Sequence, residues 1–217
     1  MMAKNSSWLS RRIALVDHYT RGEELANALS HLLGFTLALI FTLFLLKDEP
    51  KDVGLIIYGL TLSALYGSST LYHWLPQGDA KRLMRLGDHL NIYLLIAGTY
   101  TPLLFYLGST RAFQLLAFIW AIALCGILFT LLFFNRFKAL HLIFYLTMGW
   151  SIVFFWSDIV PYLPGSLFYW IIAGGSSYSV GTIFYSLKKI PFNHLVWHLF
   201  CLASSLIFTW GYLLYLR

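Results

Sequence analysis

Seven long apolar runs dominate the 217-residue chain and limit what it can fold into. The runs lie at about 28–46, 53–75, 86–107, 113–134, 140–157, 163–186 and 194–215. An α-helix needs about 20 apolar residues to cross a bilayer, whereas a transmembrane β-strand shows about ten residues of alternating polarity. The runs are continuously apolar and close to the helical length. They therefore predict an all-α membrane protein, a seven-transmembrane helix bundle.

Composition excludes the main alternatives to a membrane protein. Hydrophobic residues make up 59% of the chain and charged residues only 11%, against about 25% charged residues in soluble domains. The net charge of +6 comes from short clusters of Lys and Arg between the apolar runs. This pattern suits an anionic membrane surface and gives no indication of a nucleic-acid partner.

The distribution of Lys and Arg predicts the orientation of the bundle. The N-terminal tail and the loops on its side of the membrane carry eleven of these residues, against four on the opposite side. The eleven are Lys4, Arg11, Arg12, Arg21, Lys81, Arg82, Arg85, Arg136, Lys138, Lys188 and Lys189. Because positive charge accumulates on the cytoplasmic side, we expect a cytoplasmic N-terminus and an outside C-terminus. Residues 1–27 are expected to form a cytoplasmic tail with a short interfacial helix, and residues 28–217 a single domain in the plasma (inner) membrane.

Three histidines at the cytoplasmic ends of two predicted spans suggest a metal site. His194 and His198 open the seventh span and share one helix face, because they are four residues apart. His73 closes the second span, so its side chain reaches the same leaflet. Three imidazoles supply three nitrogen ligands to Zn²⁺ and leave the fourth position open, as in catalytic zinc sites. Interfacial anchoring of the histidines is the alternative that the spacing leaves open.

Two further polar residues are candidates for chemistry at this site. Ser69 precedes His73 by four residues, and Asp88 opens the third span beside it. We expect Asp88 to act as general base and Ser69 to orient the substrate or donate to an oxyanion. The alternatives are an ion pair between Asp88 and Arg85 and a purely packing role for Ser69. His89 and His141 are expected to be structural or boundary residues.

Glu24, Asn27 and His31 form a third polar set, on one face of the helix that enters the first span. Glu24 and Asn27 are suitable helix-capping residues. The same face could instead line the cytoplasmic cavity, with Glu24 as a proton carrier. The spacing does not separate these two interpretations.

Taken together, these motifs resemble the hemolysin III family, within the broader progestin and adipoQ receptor group. The resemblance runs from Glu24 to about Tyr215 and rests on four segments. These are Glu24-Leu-Ala-Asn27-Ala-Leu-Ser-His31, Ser69-Thr-Leu-Tyr-His73, the third span from Asp88 to Pro102, and Asn193-His194-Leu-Val-Trp-His198.

The resemblance implies a zinc ion held by His73, His194 and His198, with Ser69 and Asp88 near the metal. It also implies metal-dependent hydrolysis of lipid amides, since the metal motif is similar to that of alkaline ceramidases, and a role in membrane-lipid and fluidity homeostasis. A membrane lipid is then the expected substrate or ligand. Two alternatives stay open: a non-enzymatic sensor of membrane state with structural zinc, and a pore-forming cytolysin.

Overall fold

The computed structural model describes residues 7–16, 19–48 and 51–216. Lys4 and Arg217, which entered the charge count, lie outside the described residues, as do Asp17 and His18 of the predicted tail. The described part of the chain is predominantly helical and contains no strand, so the all-α prediction is confirmed.

Nine α-helices follow one another along the described chain. They are α1 Trp8–Arg12, α2 Arg21–Asp48, α3 Val53–Trp74, α4 Asp79–Leu107, α5 Thr110–Phe133, α6 Lys138–Gly149, α7 Trp156–Ile159, α8 Leu167–Ser186 and α9 Asn193–Tyr215. Two short 3₁₀ segments, Ser151–Phe155 and Val160–Tyr162, flank α7. The first long helix therefore begins at Arg21, seven residues before the apolar run that predicted it.

Six segments within the described residues are long and apolar enough to cross a membrane. They are Arg21–Lys47, Val53–Trp74, Asp79–Leu107, Thr110–Phe133, Ala139–Tyr162 and Asn193–Tyr215. Large aliphatic side chains such as Ile40, Leu43 and Leu132 stay about 60% exposed on their outer faces, as expected where lipid replaces water as solvent. The sixth predicted span, 163–186, contains α8, which is not among these six segments. The seven-span count and the orientation stay predictions.

The fifth predicted span is not one continuous helix. The α-helix ends at Gly149 and gives way to 3₁₀ geometry from Ser151. The Tyr100 hydroxyl of α4 donates to the Gly149 carbonyl at 2.7 Å and accepts from the Ile152 amide at 3.1 Å. Because a backbone group at membrane depth must find a partner inside the protein, this hydroxyl allows the helix to break there.

Close helix contacts and a buried hydroxyl cluster hold α3, α8 and α9 together. A Cβ added to Gly174 of α8 would lie 2.5 Å from Phe208 of α9, so only glycine permits this approach. The Tyr66 and Tyr178 hydroxyls lie 2.8 Å and 2.9 Å from Ser205 Oγ. In an apolar environment such bonds have no water to compete with them. Tyr66 of this cluster also contacts the ring of His31 edge-on, with centroids 5.0 Å apart.

Candidate metal centre

Three imidazoles meet at the end of the bundle where α3 terminates and α9 begins. One ring nitrogen from each of His73, His194 and His198 lies within 4.8 Å of the other two. The Nε2 atoms of His194 and His198 are 3.1 Å apart, which the four-residue spacing on α9 produces. His73 and His198 are buried and His194 is half-buried. The structure thus brings together the three histidines that the sequence selected.

A carboxylate orients the His73 ring. Glu24 Oε2 lies 2.6 Å from His73 Nδ1, and an ionised carboxylate can only accept, so Nδ1 carries the proton. The remaining nitrogen, Nε2, is buried and has no hydrogen-bond partner among the described residues. Metal-binding histidines commonly donate their second N–H to a carboxylate in this way. The arrangement leaves His73 Nε2 free to bind an ion.

Lys81 completes this interaction from α4. Its ammonium group lies 2.9 Å from Glu24 Oε1 and donates to the Leu75 carbonyl at 3.2 Å. The side chain is only 2% exposed, so the two charges are held in one geometry and shielded from solvent. Glu24 therefore bridges a buried histidine and a buried cation, and α2, α3 and α4 are joined at the site.

Backbone and hydroxyl groups of α2 orient the His198 ring. His198 Nδ1 lies 3.2 Å from the Asn27 carbonyl and 3.2 Å from Ser30 Oγ. Since a carbonyl only accepts, this contact places the proton on Nδ1 and turns Nε2 toward His194. The His31 ring stacks on the His198 ring with centroids 3.5 Å apart and an interplanar angle of 15°. α2 thus supplies partners to two of the three imidazoles.

Several buried polar atoms around the three histidines have no partner among the described residues. They belong to the Asn27 side-chain amide, both ring nitrogens of His31, and Ser69 Oγ. Asn27, His31 and Ser69 are at most 3% exposed. Buried polar groups in proteins nearly always form a hydrogen bond, so this concentration is typical of a site that binds a polar group or an ion.

Tyr19 covers the site at the end that carries the N-terminal tail. Its ring stacks on His194 with centroids 5.4 Å apart and lies 6.2 Å from His73. Burial raises the pKa of the Tyr19 phenol, so the hydroxyl stays protonated at neutral pH. A neutral aromatic cap limits the access of water to the imidazoles from this side.

Asp88 of the third predicted span contacts a different histidine. Asp88 Oδ2 is 3.8 Å from His89 Nδ1, and among the described side chains Asp88 forms no hydrogen bond with the three histidines. The alternative partner, Arg85, instead donates to the Ala14 carbonyl and lies over the Phe134 ring.

His141 packs elsewhere in the bundle. Its Nδ1 lies 3.4 Å from the Tyr93 hydroxyl and 3.3 Å from Thr130 Oγ1. It is therefore not part of the three-histidine group. This placement makes His141 a useful control position for metal binding.

Two residues of the site were missed by sequence reasoning. Tyr19 belongs to a tail without a recognisable pattern, and Lys81 resembles any cationic residue of a loop. The only available signal was that Lys81 follows His73 by eight residues at the start of the next helix. Glu24 was predicted either to cap the helix or to line the cavity. In the structure, its Oε2 atom lies 2.6 Å from His73 Nδ1.

We expect Glu24→Gln to lower metal affinity by about 10–100-fold, because partners of metal ligands commonly have effects of this size. Glutamine keeps the shape but removes the charge that holds both His73 Nδ1–H and Lys81. Competition with a metal-binding dye measures the effect. Asp79→Asn is the matched control, since this half-exposed carboxylate pairs with Arg82 at the start of α4 and with no other described cation. Equal affinity of the two variants would contradict the role of Glu24.

Comparison with known proteins identifies the family of the chain. The family described as haemolysin-III related matches residues 19–209, which contain every residue of the three-histidine site. A "Hemolysin-3 homolog" of Bacillus subtilis (strain 168) is 42% identical over 194 residues, covering 86% of this chain and 91% of that protein. "Hemolysin-3" of Bacillus cereus is 39% identical over 200 residues, covering 89% and 91%.

A human protein shows that the similarity extends beyond bacteria. The "Monocyte to macrophage differentiation factor" of Homo sapiens is 30% identical over 209 residues, covering 88% of this chain and 84% of that protein. This relative supports the broader progestin and adipoQ receptor group that the motifs resemble. The extent of these matches confirms the resemblance seen in the motifs: the chain belongs to the haemolysin-III related family of membrane proteins.

Proposed function

We propose that this protein is a zinc-dependent hydrolase of lipid amides or esters, with the metal bound by His73, His194 and His198. The observation that carries the proposal is the convergence of three imidazole nitrogens within 4.8 Å. The buried, unpartnered Nε2 of His73 adds to it, because hydrogen bonds on Nδ1 leave that atom available.

The donor set fits zinc. Three neutral imidazoles are typical ligands of Zn²⁺, and catalytic zinc sites use three protein ligands with one position left for water or substrate. The hydrogen bonds from His73 to Glu24 and from His198 to the Asn27 carbonyl hold both rings in one orientation. When bound, zinc polarises a carbonyl group and lowers the pKa of water.

Ser69 and Asp88 are proposed as the catalytic residues. Ser69 Oγ lies one helical turn from His73 and is buried without a partner among the described residues, so it is available to donate to the carbonyl oxygen of a substrate. Asp88 accepts the proton of the attacking water as the C–O bond to the carbonyl carbon forms. When the C–N or C–O bond breaks, that proton passes to the leaving amine or alcohol. The products are a fatty acid and an amine or alcohol.

The membrane environment indicates the substrate class. The six apolar segments support a location of the site within a lipid-facing bundle, where a substrate with an acyl chain would enter between helices. Asn27 and His31 provide unpartnered polar atoms beside the three histidines and are proposed to line the substrate position. We place the protein in the plasma membrane with a cytoplasmic N-terminus, and its activity in membrane-lipid and fluidity homeostasis.

Metal removal tests the proposal. Purified protein in lipid nanodiscs is expected to contain about one zinc ion per chain and to release fatty acid from a ceramide-type amide or a phospholipid ester. A chelator should abolish the release, and Zn²⁺ should restore it where Mg²⁺ and Ca²⁺ do not, because imidazole ligands favour zinc over these oxygen-preferring ions. Fatty-acid release that continues after complete removal of the metal would reject the proposal.

Structural zinc is the second candidate. The residues around the site come from α2, α3, α4 and α9, through Glu24, His73, Lys81 and His198. A metal ion there would join α3 and α9 directly, with α2 and α4 connected through Glu24 and Lys81, and would take no part in chemistry, as expected for a sensor of membrane state. The effect of substitution at Asp88 separates this candidate from the hydrolase.

A further inference from the structure

A positively charged cleft lies away from the histidines, between α1 and the end of α5. Its volume is about 360 Å³. Arg11, Arg12 and Trp8 line it from α1, and Arg136 lines it from the turn that follows α5. The cleft is on the tail side of the bundle, which the charge distribution predicts to face the cytoplasm.

The three arginines of the cleft have no carboxylate partner among the residues that the structure describes. No described Asp or Glu lines the cleft, and none of the ion pairs found in the described chain includes Arg11, Arg12 or Arg136. A cavity with three guanidinium groups and no opposing charge attracts an anion, and arginine is especially suited to phosphate.

The wall of the cleft is held in place by contacts across the sequence. The Asn135 side chain donates to the Arg12 carbonyl and accepts from the Ala14 amide at 3.4 Å. The Arg12 guanidinium lies over the Trp8 ring, 5.7 Å from its centroid. Ile13, which is 2% exposed, fixes the end of α1 in the bundle. These contacts hold the backbone that carries the α1 arginines next to the turn that carries Arg136.

The floor of the cleft is apolar and continues onto the lipid-facing side of α5. Leu131 and Leu132 line the cleft and are 40% and 62% exposed. A cleft lined by both arginines and exposed leucines matches a molecule with an anionic head and an acyl chain. A free phosphate ion would contact the arginines but would make no contact with the apolar lining.

We propose that this cleft binds the headgroup of an anionic phospholipid from the tail-side leaflet. Arg11, Arg12 and Arg136 contact the phosphate and the other headgroup oxygens, and the first part of an acyl chain lies against Leu131 and Leu132. The bound lipid holds α1 against the end of α5. The site is separate from the three histidines and does not depend on whether they bind a metal.

Lipid retention by the full-length protein tests this site. Nanodiscs of phosphatidylcholine containing a fraction of phosphatidylglycerol are the probe, and native mass spectrometry counts the lipids retained by the wild type and by Arg12→Gln/Arg136→Gln. Each basic residue near an anionic membrane surface contributes about 1 kcal/mol, so the preference for phosphatidylglycerol should fall about fivefold for each charge removed. Arg111→Gln, at the opposite end of α5, should retain the wild-type preference.

Three outcomes would overturn the proposal. An unchanged lipid preference in the double variant would show that the cleft does not select the headgroup. An equal loss in Arg111→Gln would indicate a general effect of charge. Displacement of the bound lipid by millimolar inorganic phosphate would identify a free-anion site instead. The metal content should match the wild type, and single variants replace the double variant if it does not fold.

Discussion

His73→Ala is expected to lower zinc affinity by more than a hundredfold and to leave the purified protein with almost no bound metal. The expectation follows from the geometry: α9 supplies two of the three nitrogens, and only His73 supplies the third from α3. A pair of imidazoles on one helix turn cannot complete the site. Loss of a hydrogen-bond partner of a metal ligand already lowers metal affinity by about 10–100-fold, so loss of the ligand itself should lower it further. Elemental analysis of protein purified without chelator measures the effect.

The control for this experiment is His141→Ala. His141 is a histidine of the same bundle, but it contacts Tyr93 and Thr130 and not the three-histidine group. Its replacement should leave one zinc ion per chain. Normal zinc content in His73→Ala would show that the metal binds elsewhere. Both the hydrolase and the structural-zinc proposals would then fail.

Asp88→Asn is expected to reduce fatty-acid release by about 10²–10⁴-fold while metal content stays unchanged, since this range is typical of a positioned general base. Asparagine has nearly the same shape as aspartate but cannot accept a proton. The structure places Asp88 beside His89, and it forms no hydrogen bond with the three imidazoles among the described side chains. Its loss should therefore affect turnover and leave the ion in place. Turnover and zinc content are measured on the same preparation.

Asp158→Asn provides the comparison for Asp88→Asn. Asp158 is an exposed carboxylate of α7, and its replacement should change neither quantity. Full activity in Asp88→Asn would remove the general base from the mechanism and favour the structural role of zinc. Loss of zinc in Asp88→Asn would instead make Asp88 part of the metal site, which the present geometry does not show.

Much of the site was predictable because it depends on spacing within single helices. His194 and His198, Ser69 and His73, and Asn27 and His31 are each four residues apart, and the helical repeat places each pair on one face. All three pairs lie near the ends of apolar runs on the same predicted side of the membrane. The sequence therefore predicted that the three helix faces meet at the same membrane depth. The structure brings the three histidines together, as this argument required.

The predictions that differed from the structure depended on contacts between helices. The fifth apolar run predicted one continuous span, yet the helix ends at Gly149 because the hydroxyl of Tyr100 satisfies the freed backbone groups. The bonding partner of Tyr100 lies 49 residues away in the chain. The residues of the fifth run alone give no indication that a hydroxyl from another helix contacts Gly149 and Ile152.

The sequence by itself determined that this protein is an apolar helical bundle with histidines concentrated at one end, since length, hydropathy and helical spacing are local properties of the chain. Only the tertiary structure decided which side chains support those histidines. Glu24 reaches His73 across 49 positions, and Lys81 reaches Glu24 from a third helix. Such contacts depend on how neighbouring helices are rotated about their axes. That rotation results from the packing of all the helices together, so it cannot be derived from the periodicity of any one of them.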